Sequence, residues 1–131
     1  MGQIVSLRCE NCGNKIDLLI GQGIRDNNLD IVLGYFDVTS QKLIKDSLSS
    51  AGKDAIWAYS RMIVSCDVNH NIQAVPTFHI IENREDRIVA INCNCGGTHT
   101  FISVDDIING TGCKCPKCGK TFKYSISELW D

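Results

Sequence analysis

Seven of the chain's eight cysteines fall into three short clusters: Cys9-Glu10-Asn11-Cys12-Gly13, Cys93-Asn94-Cys95-Gly96-Gly97 and Cys113-Lys114-Cys115-Pro116-Lys117-Cys118-Gly119. Two thiolates separated by two residues wrap one edge of a tetrahedral ion. The glycine that follows lets the backbone turn so that its N–H groups point at the sulfurs. The expected cofactor is therefore Zn²⁺, as one or two ions. Four thiolates on one Zn²⁺ carry a net −2, so the formal charge of −2 becomes about −4 with one such site and about −6 with two. A field of that sign repels phosphate, so any nucleic-acid contact has to come from a local patch.

Cys9, Cys12, Cys93, Cys95, Cys115 and Cys118 are the expected ligands, with Cys66, His70 and Cys113 as further candidates. The simplest pairing joins Cys93 and Cys95 to Cys115 and Cys118. Cys9 and Cys12 then need completion, either by Cys66 and His70, whose C-x3-H spacing makes a Cys3His sphere, or by Cys113. Another pairing joins Cys9/Cys12 to Cys115/Cys118, the two pairs with the full C-x2-C-G pattern, and leaves Cys93/Cys95 for a second ion. Spacing does not choose between these. Cys113, two residues before Cys115, shares its face on a strand and reads as a spare thiol or a ligand to another ion. His79 alternates with Phe78 and Ile80 and reads as a structural histidine. His99, four residues past Cys95, is placed to hydrogen-bond a thiolate or to replace one.

Around the clusters the pattern is mostly that of strands. Gln3 to Arg8 and Lys15 to Gly21 flank the first knuckle, as the arms of a hairpin would. Leu29 to Asp37, with Ile31, Leu33 and Tyr35 alternating, reads as another strand or extended segment. Leu43, Ile44, Leu48 and Ala51 recur at helical spacing after a cap at Thr39 or Ser40, with Gly52 as the stop. Lys53 to Tyr59 is ambiguous, because Ala55 to Tyr59 form a short apolar run that periodicity alone does not assign, and the reading leans to a second short helix. Met62 to Val68, Ile72 to Ile81 and Arg87 to Asn92 follow as strands, with Glu82 to Asp86 as a hairpin tip. Pro76 demotes the middle strand to an edge or a bulge. Thr98 to Ser103 is a further strand, and Ser103 caps a turn of helix through Ile107 and Ile108, stopped by Gly110.

The order strand, knuckle, strand, capped turn, knuckle, strand over Arg87 to Tyr124 resembles the zinc-ribbon class with its rubredoxin-like C-x2-C-G knuckles. The resemblance covers about a third of the chain, and Cys9 to Gly13 supplies a further knuckle. It implies zinc and a small β fold and names no activity. The expected fold is α+β, mainly β: zinc-ribbon hairpins with an inserted short helical segment. At 131 residues the chain fits one compact unit, with 1–86 carrying the N-terminal knuckle, helical insert and strands, and 87–131 the C-terminal zinc ribbon.

Composition narrows the function. The chain is 44% hydrophobic and 21% charged, as in ordinary globular proteins, and it has no apolar run long enough for a membrane span. A cytoplasmic location follows as the expectation, because closely spaced cysteines in a reducing compartment hold metal rather than disulfides. Cysteine-rich, closed clusters lack the open position and neighbouring general base of a catalytic zinc, so no enzyme is expected. The reading is a non-catalytic interaction or regulatory module with a protein partner, for which Trp57, Tyr59 and Trp130 are possible contact residues. The alternative is nucleic-acid binding through Lys114, Lys117, Lys120 and Lys123. These recur every three residues with Phe122 and Tyr124 interleaved and no acidic residue between Cys113 and Tyr124.

Overall fold

Short alternating runs broken by turn-forming clusters favour sheet over helix. The computed structural model describes residues 2–91, 93, 95–109 and 114–130, with the backbone alone for 24 and 128–130. Strand makes up 45% and helix 22%, so the fold is α+β and mainly β. The strands are β1 (Gly2–Arg8), β2 (Lys15–Gly21), β3 (Ile56–Cys66), β4 (Ile72–Glu82), β5 (Glu85–Ala90), β6 (His99–Ile102) and β7 (Lys123–Trp130). The helices are α1 (Leu29–Leu33), α2 (Val38–Ser50) and α3 (Val104–Ile108).

All pairings are antiparallel, in the order β5-β4-β3-β2-β1-β7, with β6 also on β3. Two ribbons of the same design emerge. In one, the hairpin β1-β2 takes β7 beside β1; in the other, the hairpin β3-β4 takes β6 beside β3, and β5 extends the outer side of β4. The ribbons meet at the pair Gly21↔Arg61. The Arg61 guanidinium strengthens that narrow join by donating to the Leu19 carbonyl at 3.0 Å and the Ala74 carbonyl at 3.1 Å. The last three strands are thus shared out between the ribbons: β5 and β6 on one, β7 on the other.

Leu29 to Asp37 is not a strand. The Asn28 side chain accepts from the N–H groups of Asp30 and Ile31, which starts α1, and Val32 and Leu33 are buried together as neighbours, a placement that alternation does not allow. The expected helix at 43–51 is present as α2, capped by Asp37 through the Ser40 N–H at 2.9 Å rather than by Thr39 or Ser40. The second short helix expected over Lys53 to Tyr59 is absent; β3 begins at Ile56, because Trp57 and Tyr59 supply the layer on which the helices rest. Val32, Leu33, Phe36 and Ile44 pack there with Tyr59, Phe78 and Ile80. A second core joins Val5, Leu7 and Leu18 of the first ribbon to Ile63, Ile72 and Ile102 of the second and to Ile107 of α3.

Pro76 sits opposite Arg61 in β4, one residue beyond the last pair that β5 makes, Thr77↔Ala90. The strand is interior over Thr77–Glu82 and has no β5 partner where the proline falls, the edge position expected of it. Asn83 and Arg84, at φ 52° and 66°, form the tip of the β4-β5 hairpin inside the charged run where a turn is expected. Ser103 caps α3 as expected, and Gly110 lies outside the described residues.

Candidate metal centres

Each ribbon carries a knuckle between its hairpin strands and a second one before its third strand. In the first knuckle Cys9 N–H donates to the Asn14 carbonyl and Gly13 N–H to the Cys9 carbonyl, both at 2.8 Å, with Gly13 at φ 75°. The turn from Cys115 to Lys120 repeats this: Cys115 N–H to the Lys120 carbonyl and Gly119 N–H to the Cys115 carbonyl, both 2.8 Å, with Gly119 at φ 75°. Only a left-handed residue closes this turn, which is why glycine follows the second cysteine.

The two knuckles face each other. Cys9, Cys12, Cys115 and Cys118 place their sulfurs within 4.8 Å of one another, with Cys9–Cys118 at 3.2 Å and Cys12–Cys115 at 3.5 Å. A tetrahedral Zn²⁺ with bonds of about 2.3 Å needs sulfurs about 3.8 Å apart, so a small outward adjustment of each thiolate accommodates it. The Asn14 side-chain amide donates to Cys115 at 3.7 Å. Burial opposes ionisation of Cys115, but the N–H groups of Lys117 and Cys118 outweigh it and lower its pKa to about 6. The Lys120 N–H, with Cys9 beside it, lowers Cys118. The Asn14 N–H favours the Cys12 thiolate, yet desolvation and the surrounding thiols raise Cys12 to about 11. Without a cation one of these sulfurs keeps its proton while another ionises; a divalent ion allows all four to ionise.

Cys66, Cys93 and Cys95 form a second group, also within 4.8 Å, with Cys66–Cys95 at 3.3 Å and Cys93–Cys95 at 3.1 Å. Cys66 begins a knuckle with the same backbone bonds as the other two: Cys66 N–H to the Asn71 carbonyl at 3.1 Å and His70 N–H to the Cys66 carbonyl at 3.0 Å. His70 stands at the glycine position with φ 59°, and Asn69 at the position of the second cysteine. The N–H groups of Asn69 and Val68 lower Cys66 to about 7 against its burial. Cys93 and its sulfur neighbour Cys66 hold Cys95 up, although the Gly97 N–H favours its thiolate. The contracted C-x-C turn closes through Gly96 N–H to the Cys93 carbonyl at 3.1 Å, with Gly96 at φ 84°.

Of the pairings that spacing left open, the structure brings Cys9/Cys12 to Cys115/Cys118, and neither Cys93/Cys95 to Cys115/Cys118 nor Cys66/His70 to Cys9/Cys12. The reason is topological: β7 pairs with β1 and β6 with β3, so the knuckle before each third strand is delivered to its own hairpin. Cys66, ranked in sequence as a partner for the first knuckle, belongs with Cys93 and Cys95. His70 is in neither sulfur group and lines the cavity between the knuckles with Lys114 and Pro116. Cys113 lies outside the described residues. The third knuckle escapes a search for C-x2-C-G because its sequence is Cys66-Asp67-Val68-Asn69-His70. The asparagine that ends both hairpin knuckles, Asn14 and Asn71, is the one signal that links them.

His99 is in neither sulfur group; its Nδ1 is on the Ile91 carbonyl at 2.9 Å and its Nε2 beside the Gln73 amide. His79 has Asp86 at 3.0 Å on Nδ1 and Thr77 at 2.8 Å on Nε2. The order resembles a catalytic triad, but the Thr77 hydroxyl is fully buried and donates to the Ser60 carbonyl at 2.9 Å, so it is held as a structural bond. Trp57 stacks on Phe78 at 5.5 Å and Tyr59 is buried, so both serve the core rather than an outer surface. Trp130 keeps its strand position, its side chain lying outside the description.

Lys114, Lys117, Lys120 and Lys123 are all exposed, and Lys123 pairs with Glu10 at 2.9 Å. Lys15, Arg8 and Lys123 lie directly opposite one another across β2, β1 and β7. No helix among the described residues is long and apolar enough to cross a membrane. No protein-family model matches the chain, and neither a curated protein nor a solved structure matches it.

Proposed function

We propose that this protein is a zinc-held, non-catalytic interaction or regulatory module. The observation that carries the reading is the four-sulfur group joining Cys9 and Cys12, near one end of the chain, to Cys115 and Cys118, near the other. Cys9 and Cys115 are buried in it and four thiolates leave no coordination position free, which is the chemistry of a structural ion. Free thiols in both groups suit a reducing compartment such as the cytoplasm. A protein partner is favoured by β7, an edge strand that exposes Tyr124 and Ile126 and can accept an added strand. Native mass spectrometry with elemental analysis tests the metal: zinc bound to the full chain supports the reading, and a folded, metal-free protein removes it.

Nucleic-acid binding is the second reading, favoured by the row Lys15, Arg8 and Lys123. Like charges set opposite each other on a sheet oppose folding unless an anion or a neighbouring thiolate cluster balances them. The four-thiolate group beside them supplies that balance without any phosphate, and the overall negative charge disfavours a polyanion.

A further inference from the structure

The two sulfur groups differ by one ligand, and the missing corner has a definite address. Superposing the knuckles by their backbone bonds puts Asn69 where Cys12 and Cys118 stand. Asn69 does not fill the corner itself. Its Oδ1 is turned away to accept the Asn71 N–H at 2.9 Å, which leaves the amide Nδ2 to donate to the Cys93 sulfur at 3.6 Å. A donor N–H has no lone pair for a metal. Among the described residues no histidine or carboxylate joins Cys66, Cys93 and Cys95.

Asn69 also lines a cleft of about 400 Å³ between the ribbons, with Asn14, Asn71, Gln73 and Lys117. The corner therefore adjoins a space lined by four carboxamides, one cation and the apolar side chains of Ile16, Ile72 and Pro116, with room for a small organic molecule. Cys93 is partly exposed and Cys95 exposed, so the group is open to a ligand from solvent, and Asn69, hydrogen-bonded to Cys93, borders both the corner and the cleft.

We propose that the Cys66/Cys93/Cys95 group holds its ion with three protein thiolates and leaves the fourth position to an exogenous ligand, a small anionic thiol admitted through this cleft. A thiophilic ion already bound to three sulfurs favours a fourth, and Lys117 offsets the ligand's carboxylate. The proposal rests on the reading that the sulfur groups hold zinc. It makes the first site structural and the second responsive, so that the module senses a thiol through its own metal.

The test is cobalt(II) substitution of the full chain, read by thiolate-to-cobalt charge transfer, with 3-mercaptopropionate as the probe and propionate as control. Two cobalt ions are expected. The thiol, and not propionate, should raise the charge-transfer intensity by about one seventh, an eighth sulfur added to seven. Asn69→Cys should show that intensity without added thiol and give no response. Two cobalt ions with no thiol response in the unmodified chain overturn the proposal, and a response that appears only in Cys113→Ser overturns it by naming Cys113 as the fourth ligand. One cobalt ion per chain overturns the proposal but leaves the structural site standing; none removes the zinc reading as well.

Discussion

Gly97 lies against Cys66: a Cβ carbon on Gly97 would stand 2.5 Å from the Cys66 sulfur and 2.8 Å from the Asp67 carboxylate. The chain after the Cys93-Cys95 turn reaches its hairpin only because this residue has no side chain. Gly97→Ala should push Cys66 out of the three-sulfur group at an overpacking cost of about 1–3 kcal/mol. Native mass spectrometry should then show one ion lost and the four-cysteine ion kept. Retention of both ions would show that the second knuckle yields without cost.

An ion held by Cys9, Cys12, Cys115 and Cys118 would tie β7 to β1. Structural zinc contributes apparent binding free energy of about 10–16 kcal/mol, comparable to the whole stability of a small domain, about 5–15 kcal/mol. Cys118→Ser, or chelation, should release β7 and the β1-β2 hairpin. Hydrogen exchange should report lost protection there before it is lost in β4, whose core residues Phe78 and Ile80 pack under the helices. Unchanged exchange in β1 and β7 after removal of the metal would contradict this.

Metal affinity should rise with pH. Without metal, Cys12 holds its proton up to about 11, while Cys115 ionises near 6. Binding must displace the Cys12 proton throughout the neutral range, so each step up in pH removes competition for that sulfur, and acidification below about 6 adds Cys115 to the competitors. Competition against a chromophoric chelator between pH 6 and 8 should give a log K that climbs by about one unit or more per pH unit. A flat profile would mean that Cys12 does not bind.

How much of this was legible in the sequence follows from the range over which each signal acts. The C-x2-C-G knuckles and the strands flanking Cys9 are local, as is the capped α2, and they could be read directly. Leu29 to Asp37 could not: Ile31, Leu33 and Tyr35 alternate like a strand, and only the Asn28 cap argues for α1. Lys53 to Tyr59 was ambiguous because a short apolar run has no period, and its strand is set by what the helices need to rest on. The ligand sets depend on which third strand joins which hairpin, a contact between residues more than a hundred positions apart in the case of Cys9 and Cys118. The Cys66 knuckle was hidden because Asn69 and His70 replace the two residues by which knuckles are recognised.

His70 carries a cost that the other knuckles avoid. Its φ of 59° is left-handed, worth about 1–2 kcal/mol against a residue with a Cβ, whereas Gly13 and Gly119 adopt the same turn freely. Glycine's extra freedom in the unfolded chain offsets about 0.5–1 kcal/mol of that. His70→Gly should therefore stabilise the protein by about 0.5–1 kcal/mol in thermal or denaturant unfolding at fixed zinc. Destabilisation would show that the imidazole makes a contact worth more than the strain.

The lysines separate the interaction reading from the nucleic-acid one. Lys123 is already paired with Glu10, and a divalent ion on Cys9, Cys12, Cys115 and Cys118 would leave a net −2 close in sequence to Lys114 and Lys120, so much of this charge would be answered within the protein. Fluorescence anisotropy with single- and double-stranded oligonucleotides at about 150 mM salt should give binding no tighter than the roughly 10⁻⁴–10⁻⁶ M of nonspecific association. Neutralising Lys117 and Lys120 should leave that weak binding unchanged. If instead affinity is high, falls steeply with salt, and loses about 0.7 to 0.9 from the log–log slope for each lysine removed, the lysines contact phosphates and the second reading replaces the first.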